Sequence, residues 1–127
     1  MLWETKRLAE TSDVRAPDGS IVRPILAVDA GSFCHCTLRA GAVSRPVRHR
    51  TVTEVWYVLS GDGELWRALG DSAETVALAP GVCLSIPCGA SFQFRASSDL
   101  EIYIGTFPAW PGPEEAVVAE GTWKPSL

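Results

Sequence analysis

The chain has 127 residues, with 11 Lys and Arg against 15 Asp and Glu and a net charge of −4. That length suits one domain, taken as residues 1–127, and is enough to bury most of its apolar surface around a single core. The negative balance argues against a protein that tracks nucleic-acid phosphates or binds anionic membranes.

At the N-terminus, "MLWETKRLAE" carries charges where a secretory signal needs an apolar core. No apolar run approaches the roughly 20 residues that span a bilayer. The expectation is a cytoplasmic protein in which Cys34, Cys36, Cys83 and Cys88 are reduced thiols. Cys34 and Cys36 lie two apart on one strand, where a bridge would be strained. Cys88 falls in a turn and is the thiol best placed for a reactive or ligating role. Residues 1–16 read as an N-terminal strand, and "TKRLAE" carries a weak helical signal.

From about residue 20 to residue 107, Gly and Pro punctuate the chain every 8 to 12 residues or so, at Gly31, Gly41, Gly61, Gly70, Gly81, Gly89 and Pro108 among others. Between them lie short segments rich in β-branched, aromatic and other apolar residues: "SIVRPILAV", "SFCHCTL", "EVWYVLS", "ELWRAL", "ETVALA", "VCLSI", "SFQFRA" and "LEIYIGTF". Many short antiparallel strands are predicted, hence an all-β sandwich or barrel. "FPAWPGPEE" carries three prolines and a tryptophan, and residues 107–127 read as a Pro-rich arm lying across the domain or a partner subunit. "PEEAVVAE" within it is the second weak helical candidate.

Two stretches carry a resemblance. In the first, Gly41 is followed by five residues, then Val47-Arg48-His49, four more, Glu54, six more and Gly61. In the second, Gly81 precedes a Pro87-Cys88-Gly89 turn, then Phe92 and Ala96, with about 20 residues between the two stretches. Spacing and punctuation resemble the two motifs of the cupin superfamily. The resemblance implies an antiparallel β-barrel of the jelly-roll type, the double-stranded β-helix. In metal-bearing cupins two histidines and the glutamate of the first motif and a histidine of the second bind a divalent ion. Those positions here are Val47, His49, Glu54 and Phe92, so two ligands are replaced by apolar side chains.

Residues two apart on a strand share a face, so Val47 points the same way as His49. A transition metal needs three or four protein ligands, and His49 with Glu54 supplies two. No metal or other cofactor is therefore expected. A divalent ion on His49 and Glu54 would need added donors such as His35, Cys34, Cys36 or Cys88, and strand alternation sets His35 opposite Cys34 and Cys36.

The expected cavity lining is Val47, His49, Glu54, Trp56, Phe92 and Phe94, with His35 a second proton-transfer partner if it faces inward. That mixture suits a small-molecule pocket for a flat, partly apolar ligand. Arg50 or Arg45 could sit at its mouth and steer an acidic ligand. Gln93 and Arg95, alternating with the phenylalanines, are expected to point outward. His49 and Glu54 are expected to pair, raising the histidine's pKa and lowering the carboxylate's.

Metal-free cupins acting on sugars give a precedent for acid/base chemistry in the barrel. The sequence thus points to an isomerase, epimerase, dehydratase or cyclase using His49 and Glu54. The alternatives are a non-catalytic ligand-binding or sensor module, and a metal-dependent oxygenase or lyase with an altered ligand set. A homodimer is expected, built on sheet edges or on the terminal segments.

Overall fold

A computed structural model describes residues 3–127. Among them are eleven strands: β1 (Val14–Arg15), β2 (Ile21–Val28), β3 (Gly31–Leu38), β4 (Val47–His49), β5 (Thr53–Ser60), β6 (Gly63–Leu69), β7 (Ser72–Leu78), β8 (Cys83–Ile86), β9 (Ser91–Ala96), β10 (Leu100–Phe107) and β11 (Ala116–Val118). They form two antiparallel sheets, one in the order β1-β2-β3-β10-β5-β8, the other β11-β4-β9-β6-β7. All eight segments read from the sequence as strands are strands, and the fold is the jelly-roll barrel that the resemblance implies.

The alternation that makes these segments strands also builds the interior. On β5, Glu54, Trp56 and Val58 are buried while Val55 and Tyr57 are exposed. Along each central strand the inward side chains divide in two. Cys36 and Leu38 of β3, Val58 of β5, Phe94 of β9 and Leu100 and Ile102 of β10 belong to a packed core. Toward the other end of the same strands, Cys34, Glu54, Phe92 and Ile104 border open space. The turns depend on glycine where the backbone demands it. Gly61 has a φ of 88°, and a Cβ there would collide with the backbone oxygen of Asp99.

The N-terminal strand expected over residues 1–16 begins at two residues that lie outside the described ones. Within the rest, only Val14 and Arg15 pair, with β2, and a 3-10 turn at Leu8–Glu10 takes up part of "TKRLAE". "PEEAVVAE" is not a helix. It forms a 3-10 turn at Pro113–Glu115 and then β11, which adds to the edge of β4. Val117 and Val118 are β-branched and favour a pleated edge over a helix of barely two turns.

The C-terminal arm lies on its own domain. Past β11, Ser126 donates to the Val43 oxygen, the Leu127 oxygen accepts from Arg45, and the Leu127 side chain packs on Gly19. Gln93 points outward as its position requires, yet it is completely buried by this tail. Its Oε1 accepts from the backbone N–H of Thr122 and Trp123, and its Nε2 donates to the oxygens of Ser44 and Trp123. Arg95 sits under the Trp123 ring, 4.1 Å from its centroid. Gln93 and Arg95 thus point away from the cavity as expected, and the C-terminal tail covers them.

Candidate functional site

The open end of the barrel is a cavity of about 460 Å³. Val47, His49, Glu54 and Phe92, the four positions singled out by the sequence motifs, all line it, as does Trp56. Strand register explains the convergence. Val47 pairs with Phe92 across β4 and β9, and Ala116 of β11 pairs with His49. On the facing sheet, Glu54 and Trp56 of β5 lie beside Thr106 and Ile104 of β10.

His49 and Glu54 approach without a hydrogen bond. The imidazole Nδ1 is 3.8 Å from Oε2 of Glu54, and both side chains are over nine-tenths buried. Among the described residues, Nδ1 is the one buried side-chain N or O without a hydrogen-bond partner. Oε1 of Glu54 accepts from the indole N–H of Trp56 at 2.9 Å. The imidazole is held between two rings, Phe92 and Trp110, each edge-on with centroids 5.2 Å away.

The electrostatics reverse the sequence expectation. Burial lowers the pKa of His49 to about 4, with Glu115 pulling weakly the other way. Burial raises Glu54 to about 8; the Trp56 hydrogen bond opposes this, and the charges of Asp18 and Glu115 add to it. Desolvation penalises both charged forms more than their attraction repays at 3.8 Å without a hydrogen bond. At neutral pH the pair is an imidazole beside a carboxylic acid, rather than the ion pair expected from residue types alone.

Three other predicted members stand elsewhere. His35 is buried on the outer side of the first sheet, its Nδ1 3.0 Å from Arg23 Nη1 and its Nε2 3.1 Å from Glu101 Oε1. It is no second half of a proton-transfer pair with His49. Phe94 lies behind the cavity wall, packed edge-on against Trp56 at 4.9 Å. Arg50 is exposed and absent from the lining. Its turn serves instead as a backbone anchor, with the Arg50 N–H donating to the Glu115 oxygen.

Several lining residues escaped sequence reasoning. Asp18 and Ser20, between β1 and β2, border the cavity; so does Cys34, one of the added donors the sequence offered, whose thiol burial pushes up to about 12. Trp110 and Pro113 of the arm close one side. The signal for the arm was its Pro and Trp content; Asp18 gave none beyond an ordinary Asp-Gly turn. The arm is pinned by Glu115. Its Oε2 accepts from the backbone N–H of Thr51 and Val52, and its Oε1 from the Thr51 hydroxyl. Burial works against its charge, but these bonds hold its pKa below the usual carboxylate value.

The donor set does not suit a metal. No group of three or more His, Cys, Asp or Glu among the described residues converges on a point that could hold one. Phe92 stands edge-on to His49 where the family places a ligand. One imidazole and one carboxyl, the latter protonated near neutrality, make a poor site. A second groove, of about 530 Å³, runs outside the barrel past Arg67, Leu69, Glu74 and Pro87. Its guanidinium is already bound to Glu74 and the Ser85 oxygen, and no buried polar atom is left open there.

The sequence model of the cupin domain matches residues 34–104, more than half of the chain. No curated protein matches it in sequence. By structure the chain is similar to Pac13 of Streptomyces, described as a nucleoside dehydratase and solved with uridine, with a TM-score of 0.75 and 15% identity over 94% of this chain and 92% of that one. It is also similar to oxalate decarboxylase of Bacillus subtilis, with a TM-score of 0.76, 14% identity and 87% of this chain covered. The capsular polysaccharide assembling protein CapF of Staphylococcus aureus gives a TM-score of 0.73, 14% identity and the same coverage. The match spans only 30% of the decarboxylase chain and 34% of CapF.

Proposed function

This chain belongs to the cupin family, and on that premise we propose that it is a metal-independent acid/base enzyme acting on a small molecule held in the cavity against His49 and Glu54. Within the isomerase, epimerase, dehydratase and cyclase group, elimination of water suits the pair best. The observation that carries this reading is the buried, unpartnered Nδ1 of His49 facing the Glu54 carboxyl. A lone pair and an acidic proton 3.8 Å apart in the wall of one cavity supply the base and the acid that an elimination needs. The likeness to a protein described as a nucleoside dehydratase supports the same class.

With the imidazole protonated on Nε2, Nδ1 carries the lone pair. It takes a proton from a substrate carbon. The electrons of that C–H bond form the new double bond as the neighbouring hydroxyl leaves. Glu54 supplies the proton that makes the leaving group water. Since Oε1 already accepts from Trp56, Oε2 is the oxygen that delivers it. The imidazolium and carboxylate so formed stabilise each other until the proton returns. A base with a pKa of about 4 is weak, so the substrate C–H must be activated by an adjacent carbonyl.

The test is turnover by His49→Ala and Glu54→Gln on substrates found by screening. Each substitution should lower kcat by about 10²–10⁴ with little change in KM. Activity should rise as pH passes about 4 and fall as it passes about 8. Undiminished turnover in both variants would end this reading. A ligand recovered unchanged, with no turnover by the wild type, would favour a binding module instead.

A further inference from the structure

We propose that the cavity selects an uncharged ring compound bearing hydroxyl groups over its phosphorylated counterpart, and that Asp18 makes the selection by accepting a substrate hydroxyl. The inference rests on the reading that the ligand occupies this cavity, and it concerns what is bound rather than what is done to it. Asp18 is 8% exposed and borders the cavity. Its Oδ1 takes both donors of Ser20, the backbone N–H at 2.9 Å and the hydroxyl at 2.7 Å. Its Oδ2 has no hydrogen-bond partner among the described residues. The backbone is fixed too, since the Asp18 oxygen accepts from the Arg45 N–H. A buried carboxylate held rigidly by one oxygen presents the other to the ligand.

The groups around it do not favour anions. Asp18 lines the cavity beside Glu54, a neutral carboxyl at pH 7, and the Glu115 carboxylate lies close enough to act on His49 and Glu54. Burial raises the Asp18 pKa, against the Ser20 hydrogen bonds and the Arg45 charge. The sole Lys or Arg in the lining is Arg15, an exposed residue whose Nη1 donates to the Gly19 oxygen. Arg45 is bound through Nε to the Leu127 oxygen, and Arg48 and Arg50 lie outside the lining. A phosphate would bring nearly two negative charges into this space with Arg15 alone, already donating Nη1 to the Gly19 oxygen, to meet them. A hydroxyl, by contrast, donates to Oδ2, the oxygen that Ser20 leaves unpaired and accessible, which is worth about ten- to a hundredfold in affinity. The ring itself finds apolar contact on Trp56, Phe92 and Ile104.

Calorimetric titration at pH 7 decides, using the full chain with uridine, D-ribose and the 5′-phosphate of each. At least one uncharged compound should bind, and bind at least tenfold more tightly than its phosphate. Asp18→Asn should weaken the uncharged compound about tenfold or more and narrow that ratio. His49→Ala should keep the ratio while turnover is lost, so preference and chemistry can fail separately. Phosphates that bind as tightly as their parents overturn the proposal. So do failure of both uncharged compounds to bind and an Asp18→Asn protein with unchanged constants. If that variant does not fold, Asp18→Ser takes its place in the same titration, and a ratio unchanged from the wild type overturns the role given to Asp18.

Discussion

At the scale of single residues, the sequence located the right positions and misjudged their charge. The spacing that marks Val47, His49, Glu54 and Phe92 holds because strand alternation is a strict period of two, and all four face one space. The protonation of His49 and Glu54 depends instead on how much water each loses and on whether their atoms come within hydrogen-bonding distance. Neither is written in residue type. Trp110 on one side of His49 and Phe92 on the other remove its solvent, and a separation of 3.8 Å returns too little attraction. His35 shows the same limit from the other direction. Its alternation set it opposite Cys34 and Cys36, yet nothing local marks the Arg23 and Glu101 side chains that receive it outside the barrel.

At the scale of elements, the eight long strands were legible because each pairs the period-two pattern with a Gly or Pro boundary. The short pieces were not. β4 has three residues, and β11 takes its conformation from the ladder that β4 offers. Asp18 and Trp110 reach the cavity from connecting segments whose course is set by distant anchors. Glu115 is the chief anchor of the arm, three acceptor contacts fixing it to Thr51 and Val52. Glu115→Ala should therefore destabilise the fold by about 1–3 kcal/mol, since the buried Val52 N–H and the part-buried Thr51 N–H lose a charged partner. Ligand affinity should fall with it, because Trp110 and Pro113 lose their support. Chemical denaturation and calorimetric titration would check both; unchanged values would show that the arm is held by other contacts.

At the scale of the whole molecule, one barrel divides its interior between a packed core and a cavity that keeps two buried ionisable side chains uncharged. The fold tolerates them at the cost of pH dependence. Glu54 has its folded pKa raised from 4.5 to about 8, so its contribution is complete below the unfolded value and is lost as pH rises through about 8. His49 has its folded pKa lowered from 6.5 to about 4, so its contribution is complete above 6.5 and is lost as pH falls through about 4. Between about 4.5 and 6.5 the two slopes oppose each other. Above 6.5 only Glu54 still titrates, and stability should decline by about 2 kcal/mol toward pH 8. Denaturation curves at several pH values should show this decline in the wild type and its disappearance in Glu54→Gln. A decline of equal size in the variant would assign it to other groups.

The most direct measurement of the acid/base pair is a pH titration of the His49 ring and Glu54 carboxyl resonances by NMR in the full chain. The imidazole should remain neutral down to about pH 4, and the carboxyl should keep its proton up to about pH 8. A His49 that charges above pH 6.5 while Glu54 ionises below 4.5 would make the two an ion pair, and the elimination chemistry assigned to them would lose its acid and its base together.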